Sequence, residues 1–123
     1  MANSQFRSKR QVSGKRYVSV RKTRASDLGR IPALTSIGDI KLKVKRVKGG
    51  NSKKSLLRTQ TVQVFNGKKT VSLKVTGVEE NPANINFTRR NVITKGAIVK
   101  TEEGNVKITS RPGQSGSLFG VFE

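Results

Sequence analysis

From Asp39 onward the chain alternates, with Ile40, Leu42 and Val44 interleaved with Lys41, Lys43 and Lys45. A period of two predicts a half-buried strand whose three lysines share the outer face, about 6.6 Å apart at a rise of about 3.3 Å per residue. Such a face suits the steps of a nucleic-acid backbone, and equally an ordinary solvated strand or an edge charged against aggregation. The alternation slips at Arg46-Val47-Lys48, where the strand ends or bulges. A second pattern, TQTVQVF-NG-KKTVSLKV, predicts a hairpin. Asn66-Gly67 suits a two-residue type I′ turn, which sets Phe65 opposite Lys68 and Val62 opposite Val71. Val62, Val64, Val71, Leu73 and Val75 then gather on one face, a set that a slip of one residue would split. Ile93 to Thr101 and Asn105 to Ser110 read as two further strands around Glu102-Glu103-Gly104. Arg111-Pro112-Gly113-Gln114 turns the chain into a last strand, Leu118 to Phe122. About six short strands and no convincing helix predict an all-β body over residues 39–123. The expected fold is a small barrel of antiparallel strands, because closure removes exposed edges.

The first 38 residues carry no such pattern. Arg7, Lys9, Arg10, Lys15, Arg16, Arg21, Lys22, Arg24 and Arg30 stand against one acid, Asp27, and the few apolar residues follow neither period. A segment this poor in apolar surface cannot offset the entropy of ordering it. Residues 1–38 are therefore expected to form a long basic extension without regular structure, ordered by a partner of opposite charge. Its reach, fully extended, is near 100 Å for about 30 residues. A polyphosphate fits, since each cation that neutralises a phosphate releases a condensed counterion. Gly14 and Gly29 allow close backbone approach, and Phe6 and Tyr17 are placed to stack on unpaired bases. A solvated tail, a localisation signal and a transit peptide are the plainer readings, but the charge is sustained well beyond the length of a signal.

Composition extends the basic character past this segment. The 123 residues include 26 Lys and Arg against 7 Asp and Glu, a net charge of +19. Self-repulsion on that scale disfavours an isolated monomer or a homo-oligomer. The run Val47-Lys48-Gly49-Gly50-Asn51-Ser52-Lys53-Lys54 reads as a flexible basic loop; it does not match a phosphate-binding G-x-x-x-x-G-K-[ST], yet Gly amides and Lys side chains both donate to phosphate. Arg89-Arg90, between Phe87 and Asn91, suits forked phosphate contacts, unless one of the pair is taken by Glu79 or Glu80. Lys95 and Arg111 complete the candidate RNA-binding set.

The chain has no Cys and no His, which removes disulfides, thiolates, the commonest metal ligand and the usual neutral-pH base. Glu79-Glu80 and Glu102-Glu103 are expected at turns as solvated acids. A site for Mg²⁺ would need several convergent carboxylates. No catalytic residue, metal or cofactor is expected, Mg²⁺ entering only with bound RNA. The chain shows neither an apolar secretory signal nor a run long enough to span a membrane; a soluble cytoplasmic protein with no membrane partner and no small-molecule substrate is expected.

The blocks KRQVSGKRY, RKTRASDLGRIPALTSIG, KGGN, LLR, ENPAN, RRN, ITKGAI and TSRPGQSG follow one another in an order that resembles, along essentially the whole chain, the archaeal and eukaryotic small-subunit ribosomal protein of the "eight-e" family. That family is distinct from the universal ribosomal protein eight, and the short body resembles its archaeal version. The resemblance implies a β-barrel-like body and a basic extension inserted among helices of small-subunit ribosomal RNA, beside neighbouring ribosomal proteins. A general nucleic-acid-binding or chromatin protein, and a metal-dependent RNA-processing enzyme, are the alternatives.

Overall fold

In the computed structural model, residues 3–123 are described; Met1 and Ala2, the start of the extension read from the sequence, lie outside them. The chain divides into two compact units after Pro32, six residues before the boundary drawn at Gly38. The difference is β1, Thr35–Ile37, which the sequence reading had left in the extension and which pairs within the second unit.

After β1 that unit has β2 (Lys41–Arg46), β3 (Ser52–Thr59), β4 (Thr61–Asn66) and β5 (Lys69–Glu80). It continues through α1 (Ile85–Arg89), β6 (Val92–Ile93), β7 (Ile98–Thr101), β8 (Asn105–Ile108), α2 (Pro112–Ser115) and β9 (Phe119–Phe122). Strands β2, β3, β1 and β6 form an open sheet in that order, and β4, β5, β7, β8 and β9 close into a barrel. The all-β barrel holds, with corrections. Among the described residues the strands number nine, only five close, and two pairings are parallel, β1 with β3 and β4 with β9. Ile93 to Thr101 is not one strand, because Gly96, at φ 85°, turns the chain between β6 and β7. Two short helices stand in a body for which no helix was expected, α2 at the turn read from Arg111 to Gln114. Asn84 caps α1 by accepting from the Asn86 amide, and α2 starts on Pro112, a residue whose fixed φ and missing N–H suit a first turn.

Val62, Val64, Leu73, Val75, Val99, Val106 and Ile108 fill the barrel, and Leu56 and Ile93 continue the core into the open sheet. Val64 lies opposite Gly120 on β9, and a Cβ at Gly120 would strike Val106 Cγ1 and approach the Lys107 carbonyl to 2.9 Å. The ENPAN turn is held by buried Asn81, whose amide donates to the Val92 carbonyl while its oxygen accepts from the Ala83 amide and the Thr94 hydroxyl.

The β4–β5 hairpin corrects the expected turn but keeps its consequence. Asn66 pairs with Lys69 and Val62 with Leu73. The loop is Gly67-Lys68, with Gly67 at φ 65° and the Lys68 amide donating to the Asn66 carbonyl at 2.6 Å. Asn66 has no positive φ, as type I′ would require. Moving a hairpin loop by one residue shifts each cross-strand partner by two, so every side chain keeps its face. Val62, Val64, Leu73 and Val75 are accordingly buried, whereas Val71, near the hairpin end, is 37% exposed.

The first unit is not featureless, contrary to the expected extension. Ser4 bridges Leu28, and the amides of Gln5 and Gly29 donate to the carbonyls of Asp27 and Asn3. Arg10 bridges Arg16 around a turn at Gln11–Gly14, with Gly14 at φ 83°. The segment doubles back on itself, so its ends lie together and its reach is far short of the extended estimate.

Candidate nucleic-acid interface

All of the candidate cations are exposed, and all but Arg89, Arg90, Lys95 and Arg111 belong to two elements. The first is the doubled-back N-terminal unit. There Phe6, Arg7, Arg10, Arg16, Tyr17 and Arg21 help line a cleft of about 620 Å³, together with Lys9, Lys22 and Asp27. The Arg7 guanidinium lies 4.4 Å from the Tyr17 ring centroid and donates to the Val18 carbonyl at 2.7 Å. Arg21 lies 5.0 Å from the Phe6 ring. The two aromatic rings expected to await unpaired bases therefore each hold an arginine over one face, a favourable cation–π arrangement. Arg10 donates to the Gly14 carbonyl, which steadies the tip between Arg10 and Arg16.

Arg21 is bound to the segment's single acid, 2.6 Å from Asp27 Oδ2. The Arg21 hydrogen bond, then the bond from the Arg24 amide, hold the Asp27 carboxyl below its ordinary pKa; the same pair raises that of Arg21. Lys15, Lys22, Arg24 and Arg30 are exposed as well. Gly29 is packed, since a Cβ there would sit 3.1 Å from the Gln5 side chain; its smallness serves the fold of this segment.

The second element is the β2–β3 hairpin of the open sheet. Strand β2 was expected to be half-buried, yet all six of its residues are exposed, with Ile40, Leu42 and Val44 at 72%, 44% and 59%. Strand β2 is the edge of the open sheet, and its outer half, Val44 to Arg46, pairs with Lys54, Lys53 and Ser52, which are themselves exposed, so that half of the hairpin extends past the core. Lys43 pairs with Ser55 and Lys45 with Lys53, placing Lys43, Lys45 and Lys53 on one face, while Lys54 shares the other with Leu42 and Val44. Lys41 lies opposite Arg58 across a bulge. Lys48, Gly49 and Gly50 form a 3₁₀ turn at the tip, where both glycines have positive φ. The last three residues of the region expected to be a loop, Ser52 to Lys54, are thus the start of β3. Arg46 and Arg58 join the hairpin's charge although neither was a candidate. Arg58 was missed because its strand was.

Arg89 and Arg90 end α1, Lys95 sits in the turn before β7, and Arg111 precedes α2, all exposed. The alternative pairing of Arg89 or Arg90 with the neighbouring acids is not formed. Glu79 instead approaches Lys100 at 3.6 Å. Glu79 and Glu80 end β5 and are not in a turn; Glu102 and Glu103 do lie in the β7–β8 turn. Among the described residues no three acids come close enough to share a cation.

Charge is distributed unevenly between these parts. The barrel strands, their hairpin turns and Glu123 just after β9 carry five cations, Lys68, Lys69, Lys74, Lys100 and Lys107, and five acids, Glu79, Glu80, Glu102, Glu103 and Glu123. The barrel is neutral, and the whole +19 resides elsewhere. The basic face expected on the barrel belongs to the open sheet.

Residues 4–122 match the family described as Ribosomal protein S8e. The chain belongs to the ribosomal protein S8e family. It is 50% identical to a protein named small ribosomal subunit protein eS8 from Methanobrevibacter smithii, over 99% of each chain. It is 48% identical to one of the same name from Nanoarchaeum equitans, over 96% of this chain and 94% of that one. A third, from Methanospirillum hungatei, is 44% identical over 96% of each. The S8e match takes in the N-terminal unit, the hairpin and the barrel together, and the archaeal relatives agree with the resemblance carried by the ordered motif blocks.

Proposed function

We propose that this chain is a structural constituent of the small ribosomal subunit, acting in the cytoplasm within the ribosome. It binds small-subunit ribosomal RNA beside neighbouring ribosomal proteins and performs no catalysis of its own. Its S8e membership, with relatives named as small-subunit proteins, supports the setting. The mode of binding rests on one observation: among the described residues, the cations of the N-terminal unit and the β2–β3 hairpin are exposed with a single ion pair among them, Arg21 to Asp27.

Unpaired cations at this density favour a polyanion, because every phosphate they neutralise releases a counterion. Contacts go to backbone and shape, since the deep, narrow major groove of double-stranded RNA admits no side-chain reading. The overhanging hairpin is slender enough to enter between RNA helices, and Gly49 and Gly50 at its tip present backbone without side chains. Arg7, Arg10, Arg16 and Lys22 offer a second cationic surface. No cofactor is required; Mg²⁺ arrives with the RNA.

Sedimentation of the affinity-tagged chain from an archaeal host tests this reading. Comigration with small-subunit particles, and tighter binding to ribosomal RNA than to duplex DNA at equal salt, is the expected result. Absence from the particles with equal affinity for both nucleic acids would instead indicate a general nucleic-acid binder.

A further inference from the structure

The cleft of the N-terminal unit is lined by more than phosphate binding requires. A groove that only follows a nucleic-acid backbone needs cations, yet both aromatic rings of residues 3–32 and their one acid, Phe6, Tyr17 and Asp27, converge on it. These three are distant in sequence and meet because the segment doubles back.

Two arginines of the cleft are placed as planes. Arg7 lies 4.4 Å from the Tyr17 ring centroid and donates to the Val18 carbonyl, whereas Arg21 lies over Phe6 and spends both terminal nitrogens on the Asp27 carboxylate, at 2.6 and 3.3 Å. The Arg21 fork is thereby closed to phosphate, and the carboxylate beside it repels one. What these pairs still offer is flat surface, since Phe6 is 63% and Tyr17 39% exposed. Unpaired bases stack on aromatic rings and on guanidinium planes alike. Lys9, Arg16 and Lys22 line the same cleft and enter no ion pair among the described residues, so they remain available to phosphates. Its volume of about 620 Å³ lies within the range of about 300 to 1,000 Å³ in which small ligands are held. A stacking surface joined to a positive groove is how proteins hold single-stranded nucleic acid. A phosphate alone leaves the rings unused, and an apolar peptide leaves the cations unused. A nucleotide engages both.

We propose that this cleft receives one unpaired nucleotide of the RNA, its base stacked on the ring and guanidinium platforms and its flanking phosphates held by Lys9, Arg16 and Lys22. The inference rests on the RNA-binding reading and deepens it, since that reading gives the segment backbone contacts alone. Every base presents a flat π face, so the cleft selects an unstacked nucleotide over a paired one with little preference for which base it is.

The test measures the affinity of the full chain for one RNA duplex in four versions: fully paired, or with a single bulged adenosine, uridine or abasic ribose. The abasic form keeps the extra phosphate and removes only the base. Both bulged bases are expected to bind about tenfold tighter than the paired and abasic forms, the size expected of one stacked base, and to shift the Tyr17 and Phe6 ring resonances. Tyr17→Leu should lower the bulged duplexes to the abasic level without changing abasic binding, while Tyr17→Phe keeps the preference. The Gln5 and Gly29 amide resonances, which report the doubled-back form, show whether the leucine variant is folded; the four duplexes on the parent chain decide the matter without it. Equal affinity for the adenosine and abasic bulges would overturn the proposal and leave the backbone reading standing. Equal affinity for all four duplexes and for duplex DNA of the same sequence would overturn both. Free 5′-AMP binding as tightly as the adenosine bulge would assign the cleft to a free nucleotide and overturn its assignment to RNA.

Discussion

Lys45 of β2 lies directly opposite Lys53 of β3, two like charges facing across one antiparallel pair. Directly opposed like charges destabilise a hairpin, and no acid among the described residues forms an ion pair with either one. A protein selected for stability in isolation has little use for that pairing. A hairpin that enters a field of phosphates does, because the bound polyanion removes the repulsion and gains from both charges.

Lys53→Glu should therefore act in opposite directions on stability and binding. Free-chain stability is expected to rise by about 0.2 to 1 kcal/mol, from relief of repulsion and a new opposite-charge pair. The slope of log affinity for ribosomal RNA against log salt should fall by about 0.7 to 0.9 for the lost contact. Chemical denaturation and a salt series of binding isotherms measure the two; equal or parallel changes would show that Lys53 meets no phosphate.

Replacing Arg7, Lys9, Arg10, Lys15 and Arg16 with Ala should flatten the same salt dependence by several units, at about 0.7 to 0.9 per contact. Arg7→Lys alone offers a finer probe. It retains the charge but loses the planar group stacked on Tyr17 and its bond to the Val18 carbonyl. The expected outcome is a nearly unchanged salt slope with looser order around Tyr17, read from its ring resonances by NMR.

Asp27 organises the N-terminal unit through its bonds to Arg21 and the Arg24 amide. Its carboxyl is held below the ordinary value, so its contribution is fully present above the unfolded-state pKa and is lost as pH falls through the lowered folded-state value. The Arg24 amide resonance should accordingly stay constant on acidification through the usual carboxylate range and shift only below it. Titration at the ordinary aspartate position would show that the pair does not form in solution. High salt should weaken the same contact, as expected for an exposed pair.

Gly120→Ala tests the barrel's interior. The added methyl meets Val106 Cγ1 and the Lys107 carbonyl, one of them rigid backbone. Overpacking of this kind costs about 1 to 3 kcal/mol, visible as a lowered melting temperature. RNA affinity measured well below that temperature should be unaltered, since the barrel carries no net charge.

Much of the body was legible because its signals are local. The valines of β4 and β5 announced their faces through a period of two, and those faces survived a turn displaced by one residue. Strands β1 and β3 were not legible. Thr35–Ile37 is short and flanked by breakers, and Ser52–Thr59 opens with lysines and serines that resemble a loop; the first becomes a strand by pairing with β3 and β6, the second by pairing with β2 and, at its end, with β1. The exposure of Ile40, Leu42 and Val44 was equally hidden, because alternation reports which residues share a face and not whether anything covers it. In the N-terminal unit, a lack of periodicity indicated a lack of structure, whereas Asp27, two cation–π contacts and a few backbone bonds tie the segment into a doubled-back form.

What the amino-acid order determined on its own is the class of partner and the material of the core: an excess of cations that calls for a polyanion, alternating valines that call for a sheet, and ordered motif blocks that mark the family. What the tertiary structure decided is where the charge goes. Barrel closure brings together every glutamate in the chain with five lysines drawn from separate strands and turns, so the barrel sums to no net charge, and the open sheet carries its lysines outward. Net charge is a sum along the chain and can be counted from residues alone; its separation into a basic hairpin and a neutral barrel depends on which distant strands pair.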